Sequence, residues 1–552
     1  MIWLKHRPIF KICRVVAELA MLVVCLLYFM SPNRILREDI RRNSEETIPI
    51  RKQKDADEIS RLLAMRQWNC ESRKSNKFQS EGEKVKDTNE LCPKWANELD
   101  WKPSDKPLIQ LNPARIIYPA NQNGPSNELI SFQEAIFIGI ETNRTVVVPQ
   151  FLPHRMDRDT FHESEVPASR RVDLNFLSRL VSMVTVDKMQ ELCYLKFDVG
   201  FQKQDAECNF FSYLKKTSGM IPGSTHDTVL GTDGFTEIKM LKKHDRACEP
   251  PSFPVRRMAK IKRAMRVDDV KYNYRSDLPC AVLIDTYKTF TNDFDGFDQA
   301  ILDKAINDIN SLTHEDLIGA NSRTKFKLVE IFTKRPRYIR EIAKEFIGKV
   351  MQGDEYIAMH WRYNHEFICF HKYPFCAQIE KVESRDLSEV IILASKNFTS
   401  SKVSKYSNCD GTQVVHVYLA TATTDYETIK FMTKDSDFQR EIFRKILKKE
   451  GKADEISYYG DQRCWKVQLF NKVDLYRFID SHYPREKCSV IWRDTHELIA
   501  LVENEICRQS SIFIYSPESA WSEIAMQTRT NNVPVWDVLS ELAEINAIDE
   551  IY

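Results

Sequence analysis

The chain has 552 residues, with 80 Lys and Arg against 79 Asp and Glu and a formal net charge of +1. That balance argues against a nucleic-acid partner, because phosphate binding leaves a clear basic excess. With 43% apolar and 29% charged residues the chain has enough material for a core, which excludes a disordered polypeptide, and its 15 glycines exclude a collagen-like or glycine-linker architecture.

Residues 15–30 (VVAELAMLVVCLLYFM) carry one charge, Glu18. Extension back to residue 9 admits Lys11 and Arg14, whose stems can snorkel toward headgroups, so the run reads as a short membrane span. Residues 28–32 (YFMSP) offer no small-x-small cleavage site, which favours an uncleaved anchor over a signal peptide. Basic residues flank both sides, Lys5, Arg7, Lys11 and Arg14 before and Arg34, Arg37, Arg41 and Arg42 after, so charge bias alone does not decide orientation.

Cysteine usage adds to this. Of 14 cysteines, Cys13 and Cys25 lie in or beside the apolar run, leaving an even set from Cys70 to Cys507 that suits an oxidising lumen. No CxxC pair occurs, which argues against a zinc site, and Cys369 and Cys376 are spaced to close a short loop. There are two sequons, Asn143-Arg-Thr145 and Asn397-Phe-Thr399, the second in the more open setting. The expectation is a single-pass protein of the endoplasmic reticulum or Golgi membrane with its bulk in the lumen.

Residues 31–90 are polar and lack apolar periodicity, as expected of a stem. From about Trp95 short apolar runs alternate with helix-period segments, the pattern of an α/β protein. Residues 114–118 (ARIIY) predict a strand, 127–141 a helix and 145–149 (TVVVP) a second strand, together a βαβ unit. Residues 169–192 and 298–312 read as largely helical, 278–284 as a strand, and 325–349 as a long helix interrupted at Pro336. Residues 356–360, 414–420 and 511–515 supply strands of a second set, with a helix over 497–508. The expected organisation is an anchor over 1–30, a stem over 31–90, an α/β lobe over 91–340 facing the acceptor, and an α/β lobe over 341–552 facing a nucleotide sugar.

Open α/β sheets bind ligands beyond the carboxyl ends of their strands, so three loops are the candidates for chemistry. The first, residues 119–128, contains Gly124, Asn127 and Glu128 ahead of a helix whose N–H groups can meet a diphosphate; Asn127 or Ser126 can equally be its cap. In the second, His360-Trp361-Arg362-Tyr363-Asn364-His365-Glu366, Arg362 can fork onto phosphate oxygens and Glu366 can accept from a sugar or base; a structural Arg–Glu pair over a core histidine fits the spacing equally well. The third, residues 512–523, places Ser519 and Ser522 in a strand–turn–helix, where they serve either an anion or the helix cap. None of the three is a Walker loop or GxGxxG.

In this order the segments resemble a family. GPSNELISFQEAIFIGIETNRTVVVPQF is similar to the opening motif of the GDP-fucose protein O-fucosyltransferases, HWRYN to their H-x-R motif, and SSIFIYSPESAWSEIAMQTRT to their serine-containing C-terminal segment. The resemblance runs, with gaps, from about residue 112 to 540. It implies a GT-B arrangement of two Rossmann-like lobes and inverting transfer from GDP-fucose to a protein or glycan hydroxyl, with no essential metal or other cofactor. By position it implies that Arg362 holds the diphosphate beside His360, that Glu366 contacts the donor, that Ser519 and Ser522 bind phosphate, and that Gly124 and Asn127 form the first-lobe loop. Glu128 stands where relatives often carry glutamine and is our candidate for the base. The sequence departs from the pattern at Ala422, where an aspartate is common, and at Ala520, where a second serine is common. A catalytically idle glycan- or protein-binding module with the same fold is the alternative. A metal-dependent transferase would use Asp-x-Asp; residues 157–159, 293–295 and 435–437 have that form, and none clearly ends an apolar strand.

Overall fold

The computed structural model describes residues 92–97, 100–120, 125–151, 166–194, 196–203, 236–238, 253–261, 265–284, 286–290, 296–353, 355–362, 382–400, 413–421, 426–449, 465–493, 495–517, 519–527, 529 and 534–545. The chain divides into Met1–Lys84 and Val85–Tyr552, and every described residue lies in the second unit. The expected anchor and stem, Gly124, Glu366, Ala422, Cys369 and Cys376 fall outside the described residues. Among the described residues no helix is long and apolar enough to cross a membrane.

Two sheets organise the unit. The first has seven strands: β1 (Ile116–Ala120), β2 (Thr145–Val147), β5 (Met183–Val184), β6 (Phe197–Lys203), β7 (Thr236–Ile238), β8 (Phe253–Ile261) and β9 (Cys280–Ile284), in the order β5-β2-β1-β9-β6-β8-β7. All its pairings are parallel except β7 against β8. A short antiparallel pair, β3 (Gln150–Phe151) and β4 (Val166–Pro167), lies beside it. The second sheet is wholly parallel and has five strands: β10 (Ile357–Trp361), β11 (Gln413–Thr421), β12 (Trp465–Asn471), β13 (Ile512–Tyr515) and β14 (Val535–Asp537), ordered β12-β11-β10-β13-β14.

The central strands of each sheet are buried on both faces. Ile117 points into the large core of the first lobe, whereas Ile116, Tyr118 and Ala120 join a smaller cluster on the opposite face. In the second lobe Ile357, Met359 and Trp361 face one cluster while Tyr356 and Ala358 face another. Strands covered on both sides lose the apolar–polar alternation of a half-exposed sheet, which is why Ile116–Tyr118 and Tyr356–Met359 run without a polar residue between apolar ones.

The helices that matter for the site are α1 (Pro125–Thr142), α2 (Ser322–Phe332), α3 (Arg337–Phe346), α4 (Ser384–Ser400), α5 (Lys472–His482), α6 (Thr495–Gln509) and α7 (Ala520–Gln527). Helix α1 begins on a proline, whose missing N–H costs nothing at the first helical position. It ends where Asn143 takes a left-handed φ of 50°, and the adjoining Arg144 is fully buried. The Arg144 guanidinium donates to the carbonyls of Ser276, Leu278 and Pro279 at 2.6, 2.7 and 3.1 Å. The NRT triplet therefore closes a helix and clamps the approach to β9.

Two expectations need correction, and the expected interruption at Pro336 is present. Strand β1 starts two residues later than expected because Asn112 folds the chain into a turn, accepting from the Arg115 N–H through its carbonyl and from the Ala114 N–H through its side chain. The stretch 169–192 is not one helix: Asp173 caps the short helix Leu174–Leu177, β5 joins the sheet edge, and a second helix occupies Val186–Cys193. Pairing of Val146 and Val147 with Met183 and Val184 outweighs local helix propensity there. The run 325–349 belongs to two helices, α2 and α3, parted at Pro336, with a π-turn over Ile347–Met351 after the second.

Two disulfides are present among the described residues. Cys193–Cys280 ties the helix Val186–Cys193 to the start of β9, and Cys92–Cys488 ties the segment ahead of the first lobe to the turn between α5 and α6. Cys507 is buried and free.

At Gly139, α1 approaches β1 and β2 closely. A Cβ there would clash with Val146 Cγ2 and lie 2.9 Å from the Arg144 carbonyl oxygen. Gly139→Ala is expected to destabilise the protein by about 1–3 kcal/mol through overpacking, overriding the usual helix gain from alanine, and a lowered melting temperature checks it.

Candidate active site

The second sheet has the strand order 3-2-1-4-5 counted in its own chain order, and that order reverses between β10 and β13. A crevice opens at such a point because the connections from the two strands leave to opposite faces. His360 sits within β10, next to its end, and Arg362 directly follows the strand. His360 is buried and Arg362 is exposed. The His360 ring lies 4.2 Å from the Trp521 ring, and its Nδ1 is 2.7 Å from Ser522 Oγ. Burial, assisted by the charge of Arg362, pushes the His360 pKa down to about 3, so its imidazole is neutral at neutral pH.

The turn from β13 to α7 meets this strand end. Ser516 Oγ donates to the His360 carbonyl at 2.6 Å and accepts from the Arg362 N–H at 3.0 Å. The Ser516 N–H donates to Ser522 Oγ at 3.2 Å. Ser519 caps α7: its carbonyl accepts from Glu523 N–H at 2.9 Å, and its Oγ lies 3.5 Å from Ser522 N. Ser516 and Ser522 are fully buried and Ser519 nearly so.

In the first lobe α1 follows β1, and its N-terminal end carries two of the candidate residues. Asn127 is half-buried there. Glu128, expected as a base, is fully buried and accepts a close hydrogen bond from Arg171 Nη1. The same guanidinium bonds Glu497 on α6, closely through Nε and at 3.0 Å through Nη2. Burial opposes the charge on Arg171, but the Glu497 and Glu128 carboxylates hold its pKa above the ordinary value. The guanidinium also lies over the Phe151 ring, 4.9 Å from its centroid. In this arrangement the Glu128 carboxylate is committed to an ion pair joining the lobes, which places it differently from a solvent-facing base.

Further contacts cross between the lobes along α7. Gln133 of α1 and Gln527 of α7 exchange amide hydrogen bonds at 2.9 and 3.0 Å, and Lys327 of α2 donates to the Gln527 carbonyl at 2.6 Å. Lys288, in the turn after β9 and left-handed with φ 49°, lies 3.5 Å from Glu523. Ala520 and Ile524 of α7 belong to the first-lobe core, and Ala525 belongs to a second-lobe cluster. Ala520, where the resembling family has serine, is thus buried against apolar neighbours. Arg335, in the turn between α2 and α3, is buried near the Arg171 group; its Nη2 donates to Asn504 Oδ1 at 3.3 Å and burial lowers its pKa to about 10.

Of the residues singled out from sequence, the described structure gathers His360, Arg362, Ser519 and Ser522 at one strand-order reversal. It sets Asn127 and Glu128 on the helix packed against α7. Gly124 and Glu366 lie outside the described residues. Asp435 caps a helix, accepting from the N–H groups of Asp437 and Phe438 at 2.8 and 3.0 Å, and the other two Asp-x-Asp segments lie outside the described residues. Sequence reasoning missed Ser516, Arg171, Glu497 and Lys288, since a buried arginine and its distant carboxylates leave no local pattern. Ser516 carried one signal, its place as the first residue after a buried strand.

No family model matches the sequence, and no curated protein matches it. Among solved structures its likeness is to GDP-fucose fucosyltransferases. POFUT1 in complex with GDP-fucose is similar at 11% identity over 77% of this chain and 98% of that chain, with a TM-score of 0.36. The fucosyltransferase NodZ from Bradyrhizobium is similar at 11% identity over 74% and 92%, with a TM-score of 0.28. A mutant of Arabidopsis thaliana FUT1 in complex with GDP is similar at 10% identity over 80% and 75%, with a TM-score of 0.31. Overlaps at these scores are too loose to carry function, and the parallel-sheet architecture above stands on the strand pairing alone.

Two outcomes are expected from the site's electrostatics. A histidine neutral in the fold and ordinarily titrating at 6.5 contributes stability that is present above about pH 6.5 and lost as pH falls toward its folded pKa of about 3. Unfolding measured from pH 7 to pH 4 therefore shows a shallower pH dependence in His360→Asn than in the parent. Removing the shared cation by Arg171→Met leaves two buried carboxylates without it and is expected to cost about 3–5 kcal/mol, seen as a large fall in melting temperature. Adding Glu128→Gln and Glu497→Gln to that variant recovers most of the loss.

Proposed function

We propose that this chain is a glycosyltransferase that moves fucose from GDP-fucose to a protein or glycan hydroxyl with inversion. The observation that carries the reading is the convergence, at the strand-order reversal of a parallel sheet, of an exposed arginine, a neutral histidine and a serine-capped helix start. The H-x-R and serine-segment resemblances fall on that same point. A guanidinium there can stabilise charge developing on a departing diphosphate, and the first N–H groups of α7 add partial positive charge. No metal is required by this chemistry when fixed cationic donors take the leaving charge.

The anchored, lumenal setting belongs to the same proposal. It is supported by the apolar run of residues 15–30 and by the two disulfides, which are typical of oxidising compartments. A second reading, a non-catalytic glycan- or protein-binding module, draws on one observation: Glu128 is held by Arg171, so a base from this helix is not poised in this arrangement.

One set of measurements separates the two. The purified lumenal region is expected to gain thermal stability with GDP and GDP-fucose and to release GDP in the presence of EDTA. Arg362→Ala and Arg362→Lys are expected to melt normally and to lose about 10²–10³ in turnover, because an ammonium does not reproduce the guanidinium fork. A strict manganese requirement would remove the metal-free mechanism. Absence of any GDP shift together with tight binding to a glycan or protein would favour the module.

A further inference from the structure

The serine turn after β13 is more than a helix cap. Its two fully buried hydroxyls grip the end of β10, one on the backbone that joins His360 to Arg362 and one on the His360 ring. Ser516 Oγ spans the backbone from the His360 carbonyl, to which it donates at 2.6 Å, to the Arg362 N–H, from which it accepts at 3.0 Å. That bridge fixes the direction in which the chain leaves the strand and hence the point from which the Arg362 side chain departs.

Ser522 acts on the His360 side chain. Its oxygen accepts from the Ser516 N–H at 3.2 Å and lies 2.7 Å from His360 Nδ1. Were Nδ1 protonated, it would donate to that oxygen and leave the buried serine hydrogen without an acceptor among the described residues. The network closes when the serine O–H donates to Nδ1, which makes Nε2 the protonated nitrogen. The Trp521 ring beside the imidazole restricts its rotation.

We propose that Ser516 and Ser522 are positioning residues that act through the strand end: Ser522 fixes His360 as a neutral Nε2–H donor, and Ser516 fixes the backbone that aims Arg362. This inference deepens the proposed function and rests on reading the crevice as a GDP-sugar site. It assigns Ser522 a different task from direct phosphate binding, since its oxygen is occupied and buried. Misplacing such groups by an ångström is enough to cost about a hundredfold in rate without removing any contact to the donor.

The test combines kinetics with a spectrum that needs no donor. Histidine labelled with 15N in the full chain, assigned through His360→Asn, is expected to show a single Nε2–H tautomer for His360 in the parent and a mixture in Ser522→Ala. Ser522→Thr, which keeps the hydroxyl, retains the single tautomer. With GDP-fucose, Ser516→Ala and Ser522→Ala are expected to lose about ten- to a hundredfold in kcat while GDP Kd stays within about threefold, and Ser516→Thr recovers most of the rate. An unchanged tautomer in Ser522→Ala, with GDP binding weakened tenfold or more, would make Ser522 a direct ligand and overturn the proposal. So would parent-like kcat in both alanine variants when Arg362→Ala is inactive. A parent protein that neither binds GDP nor turns over GDP-fucose defeats the donor reading, and the tautomer result then decides the serine–histidine assignment by itself.

Discussion

A single buried guanidinium fixes how the two lobes meet. Arg171 lies between Glu128, in the first turn of α1, and Glu497, in the first turn of α6, so the start of a first-lobe helix and the start of a second-lobe helix share one cation. Both carboxylates lie where a helix N-terminus already favours negative charge, which lessens the penalty of burying two anions with one arginine. An ion pair so deeply desolvated adds little net stability over an apolar contact, but it tolerates only one alignment of the helices that carry it. Everything at the crevice inherits that alignment.

Helix α7 turns the alignment into a site. It presents Ala520 and Ile524 to one core and Ala525 to another, so it cannot follow either lobe alone without exposing apolar surface on the other side. Its start lies beside the end of β10, and its last residue exchanges amide bonds with Gln133. His360 and Arg362, at the end of β10, therefore meet an element anchored in both cores, which suits groups that must be held in advance of the reaction.

The fold was legible in the sequence where both faces of a strand are covered. ARIIY, LPCAVLI, YIAMH and SIFIY stand out because each holds consecutive apolar residues without polar alternation, and the loops that follow three of them hold the candidate residues. Strands β6, β8 and β12 passed unread, since Asp198, Arg256, Arg257 and Lys466 break the apolar run while backbone pairing still recruits them. The site was legible only where its members lie close to a strand end in sequence, as His360, Arg362, Ser519 and Ser522 do. Arg171 and Glu497 are 326 residues apart, and their meeting is a property of the closed tertiary structure that no local spacing encodes.

The bond between Cys92 and Cys488 spans 396 residues, nearly the whole folded unit. On a ribosome adding about 5–20 residues per second, Cys92 emerges roughly 20–80 s before its partner is made. During that interval the thiol sits among other cysteines that become available sooner, including Cys193 and Cys280, which pair with each other in the finished first lobe. Correct oxidation thus depends on the early lobe folding fast enough to sequester its own pair and leave Cys92 waiting. The order of synthesis bears on which cysteines meet first, separately from the geometry of the finished fold.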